Sequence, residues 1–144
     1  MDLQENKHAF SLIIFKDQIS TNKNRFLLKY DKRWECYLFP YLRSKDKNDA
    51  DFIELYAGIT TGTECKIIKV CQKTETKYSY SDKCEKTYHH TFYEISFNSM
   101  KSNFPKEKEF DAYKWFTPEE MKADKKLMER NKETVDFVLE HFND

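Results

Sequence analysis

Three stretches near the start of the chain space their apolar residues as strands do. Phe10 to Phe15 (FSLIIF) is a short apolar and aromatic run, the pattern of a buried strand. Arg25 to Tyr30 (RFLLKY) predicts a second strand, after a polar stretch from Lys16 to Asn24. Trp34 to Tyr41 (WECYLFPY) follows the charged turn Asp31-Lys32-Arg33 and alternates. Trp34, Cys36 and Leu38 would share one face, and Tyr37, Phe39 and Tyr41 the other. Pro40 has no N–H and belongs at the end or edge of such a strand.

The period then changes. Arg43 to Asp51 is highly charged and loop-like, and Asp49 is placed to cap a helix from Ala50 to Ala57. Ala50, Ile53 and Ala57 fall on one face of that helix. Gly58 suits the left-handed position after it, with Ile59 making the hydrophobic contact beyond. Strand spacing returns in Cys65 to Cys71, in Lys77 to Tyr80 and, after the charged turn Ser81 to Lys86, in Tyr88 to Phe97. In this last strand His89, Thr91, Tyr93, Ile95 and Phe97 alternate with His90, Phe92, Glu94 and Ser96. A polar loop, Met100 to Glu109, leads to a final strand, Asp111 to Phe116. Thr117-Pro118-Glu119-Glu120 reads as a helix start, with Thr117 capping, Pro118 at the first helical position and Glu120 closing a capping box. The helix that follows carries Leu127 and the stripe Val135, Val138, Leu139 and Phe142. Strands outnumber helices, which predicts an α+β fold: one mixed sheet with a short helix and a longer C-terminal helix packed on it.

With 144 residues the chain is expected to form a single domain, residues 1–144. Aromatic residues make up 16%, too many large apolar groups for a disordered chain. Lys+Arg and Asp+Glu balance at 25 each, so no net field draws the chain to bulk nucleic acid or an anionic membrane. No apolar run approaches a membrane span, and the start, Met1-Asp2-Leu3-Gln4-Glu5, has no signal-peptide pattern, so a soluble cytoplasmic protein is expected. The cysteines at 36, 65, 71 and 84 form no CxxC pair. They read as reduced thiols rather than a zinc or redox motif.

Three segments carry a resemblance to a known family. Trp34 to Tyr41 is similar to the strand that leads into a Nudix box. Asp51 to Ile59 (DFIELYAGI) sits where that family shows R-E-φ-x-E-E-x-G-φ, φ being apolar. Tyr113 to Met121 (YKWFTPEEM) resembles the family's closing strand-to-helix turn. Aligned on Gly58, Ile53 and Ile59 hold the apolar positions, but Asp51 stands at the arginine position. Phe52, Leu55 and Tyr56 stand where the family has its glutamates, and no glycine precedes Gly58. Glu54 is one step out of register, about 100° around the helix. The resemblance thus implies a Nudix-like fold whose box is degraded. The family's glutamates hold Mg²⁺ beside a pyrophosphate and activate water, and Phe52 and Leu55 offer no hard oxygen ligand. No metal and no cofactor is therefore expected. A narrower similarity, in Trp34 to Tyr41 followed by the glycine-poor box, is to the SMODS-associated Nudix group. That group is linked to bacterial antiphage signalling by cyclic oligonucleotides, which would make a nucleotide-second-messenger synthase the partner.

Several residues could hold a nucleotide or small phosphorylated ligand. Tyr37, Phe39 and Tyr41 could stack on a base or pack under a helix. Arg43, Lys45 and Lys47 could meet phosphates or form an ordinary solvated loop. His89 and His90 face opposite ways on a strand, so one could serve as a general base; Glu94 shares a face with His90 and could pair with it. Three functions compete: a nucleotide-binding or sensing module without hydrolysis; a Mg²⁺-dependent hydrolase with ligands rebuilt from Asp49, Glu54, Glu64 and Glu94; and a protein-interaction domain.

Overall fold

The structure is a computed structural model that describes residues 8–20, 23–44, 49–79, 82–96 and 112–144. Its elements run β1 (His8–Ser20), β2 (Lys23–Asp31), β3 (Cys36–Leu38), β4 (Tyr41–Arg43), α1 (Asp49–Thr61), β5 (Ile67–Ser79), β6 (Cys84–Ile95), β7 (Tyr113–Phe116), α2 (Pro118–Ala123) and α3 (Lys125–His141). The α+β expectation holds. The strands form one mixed sheet in the order β3-β2-β1-β6-β5, with β4 on β1 and β7 on β2.

β1 organises this sheet. One of its edges pairs in parallel with β6, from His8 opposite Tyr88 to Phe15 opposite Ile95. Its other edge is shared. Phe10–Leu12 pairs with β4, and Lys16–Ser20 pairs with β2. The run FSLIIF is apolar apart from Ser11 because β1 is covered on both faces, and the buried Ser11 hydroxyl is paired with that of Ser44 at 2.7 Å. Leu12 and Ile14 join Phe26, Leu28, Phe92 and Phe116 under Met121, Leu127, Val135, Val138 and Phe142 of the C-terminal helices. Ile13 and Phe15 join Leu27 and Ile95 under Ile53 and Ala57 of α1.

Four local expectations are corrected. Trp34–Tyr41 is not one strand. It divides at Phe39-Pro40, where the Pro40 carbonyl accepts the Ile13 N–H at 2.9 Å, and the chain passes from β2 to β1. Face parity is lost at this step: Phe39 is buried beside Cys36 and Leu38, whereas Trp34 lies exposed in the preceding turn. Helix α1 does not stop at Ala57 but runs through Gly58 to Thr61, and the left-handed residue is Gly62 (φ 78°). Gly58 answers a different need, since a Cβ there would lie 3.3 Å from the Thr63 carbonyl oxygen. Ile59, expected to close the helix end, is exposed.

Residues 67–79 form one continuous strand rather than two. The C-terminal helix is broken at Asp124, which ends α2 with its N–H on Met121 O and caps α3 by accepting the Leu127 N–H at 3.0 Å. The capping box stands as read: Thr117 Oγ1 accepts from Glu120 N, and Glu120 accepts from Thr117 N. Lys45, Lys47, Tyr80, Ser81, Phe97 and the loop Met100 to Glu109 lie outside the described residues.

Candidate functional site

Because β4 and β2 occupy the same edge of β1 in succession and do not pair with each other, the sheet parts where they diverge. A groove of about 340 Å³ lies there. Lys29, Tyr30, Asp31 and Lys32 line it from the end of β2, and Leu38 to Tyr41 from the β3–β4 link. Tyr56 of α1 completes the lining.

The polar centre of the groove is Asp31. Its Oδ2 accepts the Tyr41 O–H at 2.8 Å, and its Oδ1 accepts the N–H groups of Arg33 (2.9 Å) and Trp34 (3.1 Å). The carboxylate is thus spent on holding the turn and on orienting the phenol. Burial, together with the hydrogen bond to Asp31, pushes the Tyr41 phenol above its ordinary value. Lys29 and Lys32 are exposed, and the Lys29 Nζ lies 5.5 Å from the Tyr113 ring centroid.

The residues singled out from the sequence do not converge. Tyr41 and Tyr56 line the groove; Phe39 lines it too but is a core side chain. Tyr37 packs elsewhere, its ring centroid 5.4 Å from that of Phe116 and 5.3 Å from that of Tyr30. Of the two readings, Tyr37 and Phe39 follow the packing one, and the three rings do not line one face. Arg43 is exposed, with its guanidinium 5.9 Å from the Phe10 ring. His90 stacks on Phe10 at 5.9 Å and neighbours Phe92, on the α3 side of the sheet. Glu94 does not pair with His90: its carboxylate is buried 3.4 Å from the Lys16 Nζ, which also donates to the Phe142 carbonyl at 3.0 Å. His89 meets Thr74 Oγ1 at 3.2 Å.

Helix α1 presents Asp51, Phe52, Leu55 and Ile59 to solvent, with Phe52 55% and Leu55 61% exposed. Glu54 turns the other way, and its Oε2 accepts the Ile67 N–H at 2.8 Å. Among the described residues no His, Cys, Asp and Glu side chains gather into a group able to hold a metal ion. Glu64 reaches toward Lys66 at 3.9 Å, so Glu54, Glu64 and Glu94 do not meet. The donors needed for Mg²⁺ are thus not assembled by these side chains.

Comparison with solved structures settles the architecture. The Ap4A hydrolase of C. elegans superimposes with a TM-score of 0.59 at 12% identity, over 93% of this chain and 96% of that one. The fold is Nudix-like. The M. smegmatis Nudix hydrolase RenU agrees at TM-score 0.51 and 12% identity, over 91% and 88% of the two chains. NrtR of Shewanella oneidensis agrees at 0.52 and 9%, over 88% of this chain and 64% of its own. No family model and no curated protein matches the sequence. No helix among the described residues is long and apolar enough to cross a membrane.

Lys29, Tyr30, Asp31, Lys32, Leu38 and Pro40 line the groove, and the sequence pattern points to none of them as a site residue. Asp31 and Lys32 read only as turn formers, and nothing local signals that this turn faces a helix far along the chain.

Proposed function

We propose that this Nudix-like chain binds a nucleotide or other small phosphorylated ligand without metal-dependent hydrolysis. One observation carries the reading. At the positions where the resemblance puts metal-holding glutamates, α1 offers exposed Phe52 and Leu55 and the groove-lining Tyr56, while Glu54 is committed to the Ile67 amide. Without those carboxylates the charge of a pyrophosphate must be met by cations of the protein itself. Lys29 and Lys32 flank the groove to meet it, and Tyr30, Tyr41 and Tyr56 supply aromatic faces for a base, each stack being worth roughly 1–3 kcal/mol. Asp31 brings a negative charge even as its oxygens accept from Arg33 N–H, Trp34 N–H and Tyr41 O–H, so Lys29 and Lys32 must outweigh it for an anion to bind. One structural neighbour is an Ap4A hydrolase, which favours a nucleotide as the ligand class. The similarity of Trp34–Tyr41 to the SMODS-associated group makes cyclic oligonucleotides the first ligands to try, and a second-messenger synthase the partner to seek.

The test is thermal melting against mononucleotides, dinucleotides and cyclic oligonucleotides, each with and without Mg²⁺ or Mn²⁺. A ligand at about 100 times its Kd adds roughly 2.7 kcal/mol. A shift that needs no metal, with the ligand recovered intact, is the expected result. A metal-dependent shift with product release would make the protein a hydrolase, and the absence of any shift would remove nucleotide binding.

A further inference from the structure

β5 is, among the described residues, the outermost strand at its end of the sheet. Among the described residues its strand partner is β6 alone, matched from Ile67 opposite Ile95 to Ser79 opposite Cys84. A long outer edge presents backbone N–H and C=O groups to any strand that fits it, and proteins usually blunt such an edge. This one is not blunted by proline, and it carries exposed apolar side chains. On the α1 face Val70 is 50% and Tyr78 48% exposed. On the opposite face Lys73 and Glu75 stand side by side, Nζ to Oε1 2.6 Å, with Lys73 also 3.6 Å from Glu133 of α3.

The order of these residues is symmetric about Thr74. Lys73 and Glu75 flank it at one step, Gln72 and Thr76 at two, and Val70 and Tyr78 at four. We infer that β5 pairs antiparallel with β5 of a second copy of this chain, about a two-fold axis at Thr74, joining two sheets into one. In this register Lys73 faces Glu75 of the second copy, and the symmetry repeats that ion pair. Val70 faces Tyr78 in the same way, and Thr74 faces itself. Opposite charges, aromatic with β-branched residues, and threonine pairs are the favourable cross-strand combinations. Neighbouring registers lose them. Centring on Lys73 or on Glu75 sets like charges against each other, and centring on Gln72 or Thr76 separates Val70 from Tyr78. The pairing is isologous, as closed dimers require. It is independent of whatever ligand the groove takes.

The test is mass by sedimentation equilibrium, joined to cysteine cross-linking in a Cys84→Ser background. The expected mass is that of two chains. Thr74→Cys should form a covalent dimer under mild oxidation, because directly opposed strand residues lie within disulfide reach. Gln72→Cys and Thr76→Cys alone should not, since each would lie about 13 Å from its symmetry mate. Glu75→Lys should weaken the dimer about tenfold, and Lys73→Glu with Glu75→Lys should restore it. Circular dichroism on each variant separates a lost dimer from a lost fold. A single-chain mass at about 100 µM, or cross-linking as strong at 72 or 76 as at 74, would overturn the inference.

Discussion

Glu54 on α1 reaches across to β5 and accepts the Ile67 amide hydrogen with its Oε2, at 2.8 Å. The bond ties the helix to the sheet at the place where the chain leaves the helix to begin its longest hairpin. Glu54→Ala leaves a part-buried N–H without its acceptor and is expected to cost about 1–3 kcal/mol in urea unfolding. Glu54→Gln keeps an oxygen there and should cost less. Neither change should alter nucleotide binding, because Glu54 does not line the groove.

Tyr56 and His90 lie on opposite sides of the sheet, which gives the groove a contrasting pair of variants. Tyr56→Ala is expected to weaken nucleotide binding about five- to a hundredfold in titration calorimetry, the loss of one base stack. His90→Ala should leave affinity within about twofold and lower the melting temperature, since its ring packs on Phe10.

The pair formed by half-buried Lys16 and buried Glu94 is structural. Glu94→Ala leaves the Lys16 ammonium with the Phe142 carbonyl and the exposed Asp144 carboxylate at 3.8 Å, and is expected to cost about 1–3 kcal/mol, read from urea midpoints. Replacing both residues together, with Met at 16 and Leu at 94, should cost less than the single change, since no half-buried charge is left without its buried partner.

Tyr41 gives the fold a dependence on alkaline pH. Its phenol holds its proton more tightly in the folded chain than its ordinary value of 10.0 allows. The stability this contributes is complete below that value and is lost as pH climbs through it toward the raised folded value. Urea midpoints measured from pH 8 to about 11 should therefore fall more steeply for the native chain than for Tyr41→Phe.

The exposed arc of α1 should accept charge. Phe52→Glu and Leu55→Glu are each expected to change stability by no more than about 0.5 kcal/mol, because both side chains already face water. With Tyr56→Glu added, three carboxylates would stand at i, i+3 and i+4 on one helix face. A Mn²⁺-dependent rise in melting temperature, absent from the native chain, is the expected outcome.

Local chemistry made some features readable in advance. Thr117, Pro118 and Glu120 satisfy each other within one turn, so the helix start needed no knowledge of the fold. Val135, Val138 and Phe142 repeat along one helix face and are all buried. The failures came where distant parts of the chain decide. Phe39 looked like a partner of Tyr37 and Tyr41 because alternation was carried through Pro40; the carbonyl of Pro40 is instead held by Ile13, and parity resets. Gly58 suited a helix end, but the helix runs on to Thr61 and Gly62 takes the left-handed conformation, while Gly58 is held by the close approach of the Thr63 carbonyl. His90 and Glu94 share a strand face as read, but that face meets α3 rather than the groove. The groove itself joins a turn after β2 to a tyrosine on α1, a pairing that no periodicity encodes.

The parallel match of β1 with β6 also governs the order of events when the chain folds. His8 meets Tyr88 and Phe15 meets Ile95, partners separated by more than half of the sequence. Closing so long a loop costs entropy before any pairing rewards it. The β5–β6 hairpin, by contrast, closes across a short turn at Lys83 (φ 57°). During synthesis β1 emerges before β6 and must wait, its apolar run unpaired by β6, until the hairpin follows. Chaperone dependence in the cell is therefore expected to fall on β1, the strand along whose edge the groove later opens.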